Sequence, residues 1–428
     1  MTDHPARPLF TRAAIARAVI AALLLPAALV APQVATVPAH AGPSAPAATA
    51  PVSDDVLRSE LRADLEAYLQ ARGVPEHISA AALSVSLADR RSSIDVSAGT
   101  TTFGGSEPVL PSSVWQIGSN TKAFTSVLLL QLEAEDRLSI DDTLGQWLPQ
   151  YPQWQDVTIR RLLNMTSGIP TYDEQPAFQA DYAADPLTHF SAEQLVDYAM
   201  SGSATSGYSY SNTNYVLAEM IIERATGHSY RHQLQERIIE PLCLRDLYYR
   251  EHLYPPSVTQ REPAGYFFDD QDSGLSALVG RDVSRDTLSW ARGAGGIIST
   301  TSDMTRWERA LYSGRLLPPE QQAELTSLVS TQTGEPIEQT SPTDPNGFAL
   351  GVAQLTADPI GTFWFYEGET LGFRTLHVYL PESEVIVAMG LNSHPADDEI
   401  GALAVAVYDT LVAQGVVPAT TAPVGAGA

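Results

Sequence analysis

Cysteine, positive charge and long apolar runs are all scarce in this 428-residue chain. The one cysteine, Cys243, rules out an intrachain disulfide. Flanked by Leu242 and Leu244, it is expected to be a small core residue at a helix end rather than a reactive thiol. Only 25 basic residues stand against 50 acidic ones, a net charge of −25. A surface this acidic repels nucleic acid and anionic lipid, so neither is an expected partner. Beyond the N-terminus no segment approaches the ~18 consecutive apolar residues of a membrane-spanning helix.

The N-terminus itself reads as an export signal. Arg7, Arg12 and Arg17 precede an apolar run from Ala18 to Ala31, broken by Pro26, and Ala39-His40-Ala41 offers small residues for signal cleavage. The expectation is a secreted protein whose residues 1–41 are removed, leaving no membrane span and a net charge of about −27. Retention of the segment as an anchor is the alternative. Residues 42–52, rich in Ala, Pro and Ser, read as a disordered spacer, and 416–428 as a disordered low-complexity tail.

Between them, residues 53–415 read as one domain. Apolar residues recur at helical spacing from Asp54 to Ala71 and stop at Gly73-Val74-Pro75. Residues 81–87 alternate as a strand, with 93–99 its hairpin partner across the charged turn Asp89-Arg90-Arg91. From Phe124 to Trp307 the segments are mostly helical, notably 156–163, 191–200 and 214–226. Strands return at 363–366, 373–380 and 384–389, followed by a helix from Asp397 to Val412. This order predicts an α/β (α+β) fold: an antiparallel sheet flanked by helices, built from about 53–115 and 295–415. A large helical insertion from about 116 to 294 interrupts it.

Chemistry concentrates at Ser119-Asn120-Thr121-Lys122, just ahead of the apolar run Val127 to Leu132. Residues three apart on a helix are neighbours, so the Ser119 hydroxyl and the Lys122 amine can share one face. A serine becomes a nucleophile when an adjacent base takes its proton, and burial can keep a lysine neutral enough to do so. Taken alone, the spacing more often marks an ordinary helix start than a catalytic pair. A second constellation is Tyr210-Ser211-Asn212, which in an extended segment points a phenol and an amide the same way. The phenol can shuttle a proton and the amide can hold a substrate carbonyl; a polar loop capping the next helix is the bland alternative.

Ser119-x-x-Lys122 followed about ninety residues later by Tyr210-x-Asn212 resembles the serine β-lactamase and penicillin-binding protein superfamily, in its class C β-lactamase and D-alanyl-D-alanine carboxypeptidase branch. The stretches Thr158 to Pro170, Tyr210 to Gly227 and Gly293 to Thr300 look alike too, and the resemblance covers roughly residues 55–412. It implies a Ser119 acyl-enzyme with Lys122 as base, Tyr210 as proton shuttle and Asn212 orienting substrate. No metal or organic cofactor is implied. The family's third motif, a Lys or His, one residue, then Gly, falls at Tyr366-Glu367-Gly368, where a tyrosine replaces the cation. The resemblance assigns Tyr366, Gly368 and Glu369 to substrate binding. It puts the Glu369 N–H beside that of Ser119 in an oxyanion hole, with Gly368 letting substrate lie close to the strand. If Glu367 and Glu369 face inward they would repel a substrate carboxylate and favour an amine.

The first expected activity is therefore a D-alanyl-D-alanine carboxypeptidase-like peptidase acting on small peptides, esters or cell-wall-derived substrates. An esterase, a D-amino-acid amidase or aminopeptidase, a β-lactamase, or a ligand-binding protein without turnover are alternatives. His228 and His232 share the spacing of metal ligands, but Ser229 stands where a zinc protease motif needs glutamate, so a solvated helix face is expected. Asn164-Met165-Thr166 fits a glycosylation acceptor and is expected to be structural.

Overall fold

The computed structural model describes residues 52–88, 92–272 and 274–418. The export segment, most of the spacer, the 89–91 turn and the end of the tail lie outside the described residues.

Helix α1 (Asp54–Arg72) starts where the Ser53 side chain accepts the Val56 N–H, with Asp54 and Asp55 favourably placed against the helix dipole. Its stripe Leu57, Leu61, Leu65 and Tyr68 is buried. The main sheet is antiparallel throughout. In chain order its strands are β1 (Ala80–Ser86), β2 (Ile94–Gly99), β3 (Leu328–Ser330), β4 (Pro336–Ile337), β5 (Asn346–Phe348), β6 (Ala353–Ala357), β7 (Gly361–Glu369), β8 (Arg374–Leu380) and β9 (Val385–Leu391). In space they run β2-β1-β9-β8-β7-β6-β5-β3-β4. Strands from the two ends of the chain thus pair one strand in from an edge of the sheet, where every residue of β1 and β9 is buried. Such strands, covered on both faces, lose the polar alternation of a half-exposed sheet.

Helices α1 and α5 (Ile400–Ala413) cover one face of this sheet. Helix α4 (Thr301–Tyr312) covers the other, where Thr301 Oγ1 meets Ser84 Oγ of β1 at 2.8 Å. Between β2 and α4 comes the expected helical stretch, with helices α2 (Thr121–Ala134) and α3 (Asn212–Thr226). Every residue from Thr121 to Leu130 is buried, and Phe124 stacks on Trp307 of α4 with ring centroids 3.6 Å apart. A helix apolar on all sides belongs inside, and α2 is the axis on which the helical part meets the sheet. Among the described residues no helix is long and apolar enough to cross a membrane.

Several local expectations change. Cys243 is exposed, not core: it takes a left-handed conformation (φ 55°) that reverses the chain, so Leu242 and Leu244 turn inward while the cysteine turns out. His228 precedes the short helix Tyr230–Leu234 rather than sharing it with His232, which meets Glu236 at 3.2 Å. Asn164 Oδ1 accepts the Thr166 N–H and hydroxyl, a local turn. At the C-terminus Val416 and Val417, assigned to the tail, close onto the Leu411 carbonyl, and Val417 is buried.

Candidate active site

Ser119 lies in a single 3-10 turn, Gly118–Asn120, that runs straight into α2. The turn follows a short strand, Trp115–Gln116, paired with Ile297–Ser299. Gly118 is at φ 49° with the backbone of Glu369 against it: an added Cβ would come within 2.5 Å of the Glu369 N and O. No other residue fits there. The Ser119 N–H opens the turn and has no acceptor within it, as for any helix start.

Lys122, the only lysine in the sequence, is fully buried in the first turn of α2. Its Nζ lies 2.9 Å from Ser119 Oγ, 2.7 Å from Asn212 Oδ1 and 2.8 Å from the Ala294 carbonyl. Burial holds its pKa well below the usual lysine value, against a smaller opposing pull from Asp173. Two of its three neighbours can only accept. A neutral amine therefore spends both its N–H groups on Asn212 and Ala294 and turns its lone pair to the Ser119 hydroxyl.

The Ala294 carbonyl is itself held in place. Arg292, at φ 43°, pairs with the buried Glu219 at 2.7 Å, while Glu219 also accepts the Gly293 N–H and Thr125 donates to the Gly293 carbonyl. Sequence reading flagged this glycine-rich stretch only as family-like; the Glu219–Arg292 pair has no spacing signature.

On the other side of Ser119, Tyr210 brings its hydroxyl to 2.7 Å from Oγ, and Tyr366 donates to the Tyr210 oxygen at 3.3 Å. Burial raises the Tyr210 pKa, which makes it a neutral phenol at ordinary pH. The structure thus favours a neutral phenol over a tyrosinate. With the Lys122 amine neutral, the donors can then run one way: Tyr366 to Tyr210, Tyr210 to Ser119, Ser119 to Lys122.

Asn212 is the first residue of α3, with Ser211 extended at its N-cap. Its carbonyl oxygen is taken by Lys122, and its Nδ2 donates to Asp173 Oδ2 at 3.1 Å. The other Nδ2 hydrogen has no partner among the described residues and is what remains for a substrate carbonyl. Asp173 was missed in the sequence: an acid just after Pro170-Thr171-Tyr172 looks like any loop residue, yet it is 1% exposed.

Strand β7 presents its residues differently from expectation. Tyr366 and Gly368 face Ser119, and pleating sends Glu367 and Glu369 to the opposite face, where their carboxyl oxygens lie within 4.8 Å of Asp398. Asp398 and Glu76 pair there with the fully buried Arg374. The glutamate side chains thus make no hydrogen bond in the Ser119 network, against the inward-facing arrangement expected for them, and only the Glu369 charge reaches Tyr210. Gly368 also has another reason to be glycine: a Cβ would strike the Ile117 carbonyl at 1.9 Å and Asn120 at 2.7 Å. It lets the strand pack on the Ser119 turn rather than on a substrate. β6 stops pairing at Phe365, so beyond it this edge of β7 carries no strand partner among the described residues.

The sequence pattern of the beta-lactamase family matches residues 65–410. The chain belongs to that family. It is a beta-lactamase-fold serine hydrolase. Among solved structures, a D-stereospecific amidohydrolase from Streptomyces sp. is similar, at 29% identity with a TM-score of 0.67, covering 81% of this chain and 97% of that one. The D-amino acid amidase from Ochrobactrum anthropi SV3, complexed with D-phenylalanine, shares the fold at 23% identity with a TM-score of 0.71, covering 83% and 99%. Penicillin-binding protein 4* of Bacillus subtilis is 30% identical over 238 residues, 54% of this chain and 52% of that protein. The chain spans about half the length of the curated relatives it matches.

Proposed function

We propose that this family member is an amidohydrolase for substrates that need no free C-terminal carboxylate, with D-amino acid amides and D-configured N-terminal peptides as the substrate class. One observation carries the reading: the position that normally supplies a cation beside the nucleophile is a tyrosine, whose hydroxyl hydrogen-bonds Tyr210. The buried arginines packed around the site do not replace it, because Arg292 and Arg374 already pair with Glu219, Glu76 and Asp398. The similar amidohydrolase and amidase structures support the substrate class.

In the proposed cycle Ser119 Oγ attacks the amide carbonyl and its proton passes to Lys122 Nζ. The N–H groups of Ser119 and Glu369 stabilise the oxyanion. Tyr210 delivers a proton to the departing amine; it then takes a proton from the water that attacks the ester carbonyl, and Lys122 returns its proton to Ser119 Oγ as the acid leaves. A matched panel tests this: D-alanine p-nitroanilide, a D-amino amide, and an acyl-D-Ala-D-Ala peptide with its carboxylate free or amidated. Turnover of the D-amides that disappears in Ser119→Ala is expected. A higher kcat/KM for the free carboxylate than for its amide would overturn the reading in favour of a D-alanyl-D-alanine carboxypeptidase, which the penicillin-binding relative favours. Export of the chain is proposed alongside, on its N-terminal sequence. N-terminal sequencing of protein from the culture medium is expected to begin near Gly42.

A further inference from the structure

Lys122 and Asp173 are both buried within one network, yet they do not touch. The Asn212 amide stands between them, its oxygen on the amine and its nitrogen on the carboxylate. That orientation is dictated, since a carboxylate needs a donor and the amine needs an acceptor. The Thr171 hydroxyl donates to Asp173 Oδ1, and its oxygen accepts the Asn212 backbone N–H at 3.0 Å. The carboxylate is therefore tied both to the side chain and, through Thr171, to the backbone of the residue that holds Lys122.

We propose that Asp173 is a positioning residue for the serine–lysine pair: through Asn212 it fixes the Lys122 amine on Ser119 Oγ and keeps a negative charge one amide away for the ammonium that forms on acylation. In that step the Ser119 O–H bond breaks, its proton adds to Lys122 Nζ, and Oγ bonds the carbonyl carbon. A directly paired carboxylate would hold the lysine protonated and useless as a base. No carboxylate at all would leave a buried ammonium stabilised mainly by the rings of Tyr210 and Tyr215, 4.8 and 5.5 Å from Nζ, and by neutral oxygens. Asp173 sits between these limits. The other groups facing Lys122 are Ser119, Tyr210 and Tyr215, all neutral at ordinary pH; Asp173 is faced by Tyr172 and Tyr210 besides Lys122, and burial raises its own pKa against the hydrogen bonds from Thr171 and Asn212 and the Lys122 charge, which favour the carboxylate.

The proposal rests on Ser119 as nucleophile, but its test does not depend on turnover. Because the chain has one lysine, uniform incorporation of 13C-lysine gives one Cε resonance whose titration reports Lys122 alone. Asp173→Asn keeps the shape and removes the charge; Thr171→Val keeps the charge and removes a hydrogen bond. In Asp173→Asn the Lys122 titration is expected to fall by roughly one pH unit, as for two charges separated by an amide in a partly screened interior. The acid limb of kcat/KM moves to lower pH with it, and the plateau falls about tenfold because the conjugate acid is less well held. In Thr171→Val the titration stays in place. Asp173→Ser, small enough to admit a water, replaces Asp173→Asn if the latter does not fold. A Lys122 titration that is unchanged or raised on loss of the Asp173 charge, or one that moves equally in Thr171→Val, would overturn the proposal. Loss of the nucleophile reading would show separately, as turnover surviving in Ser119→Ala.

Discussion

Two buried sets of opposite charges lie on the two faces of β7, and they are joined differently. On the far face Arg374 meets Glu76 at 2.7 Å and Asp398 closer still, three charges in direct contact. On the near face Lys122 and Asp173 are equally buried but kept apart by Asn212. Direct contact locks protonation: Arg374 is held charged, its pKa raised by its carboxylates even though burial alone would lower it. Separation leaves Lys122 with a depressed pKa, able to take up and give back a proton. The same low-dielectric interior thus fixes three structural elements on one face and leaves an amine of lowered pKa on the other.

Breaking the near set is expected to cost turnover first. Ser119→Ala and Lys122→Met should each lower kcat by roughly a thousandfold or more with the fold intact, and not additively, since nucleophile and base act as a unit. A Lys122→Met protein retaining a tenth of wild-type kcat would remove lysine from the mechanism. Breaking the far set should instead cost stability. Arg374→Met strands Asp398 and leaves Glu76 with Arg72 as its one cation, and a loss of about 3 kcal/mol in urea unfolding is expected. Burst-titrated kcat per folded molecule should change only a few-fold. If kcat collapsed while stability held, the contrast between the two faces would be wrong.

A gentler probe uses pH. Between the depressed folded pKa of Lys122 and the ordinary lysine value, the unfolded chain binds the extra proton, so wild-type stability relative to Lys122→Met should rise with pH in that window. The slope can reach about 1.4 kcal/mol per pH unit. Unfolding free energies of both proteins at pH 7, 8 and 9 check it, and a flat difference would mean that Lys122 is charged in the folded enzyme. The smallest effect is expected from Tyr366→Phe, which removes only a 3.3 Å hydrogen bond to Tyr210: kcat should fall about three- to tenfold. Tyr366→His should instead improve kcat/KM for carboxylate-bearing peptides, and failure to do so would show that the missing cation is not what sets substrate choice.

Much of this arrangement was legible before any coordinates. Ser119 and Lys122 are neighbours by helical geometry, and α1, β1, β7, β8 and β9 follow from the period of their apolar residues to within a few positions. Strand parity also separates Tyr366 and Gly368 from Glu367 and Glu369. What parity cannot say is which side faces Ser119, because both faces of this sheet are covered by helices and both carry apolar residues. Cys243 was misread for a related reason: its apolar neighbours are indeed buried, but a left-handed residue between them inverts its own direction. Asp173 and Glu219 were invisible because a buried carboxylate is recognised by its partners, and those lie 39 and 73 residues away.

By itself the sequence picked out Ser119 and Lys122 as candidate nucleophile and base, Tyr210 and Asn212 beside them, and the tyrosine that replaces a cation. Each of these is a matter of residue type at short spacing, or of motifs kept in order along the chain. Only the tertiary structure decided how the site is charged. That the Lys122 pKa is lowered, Tyr210 is a phenol, and Asp173 is near but not touching depends on burial and on contacts between distant segments, which exist only once α2, α3 and β7 have closed around Ser119.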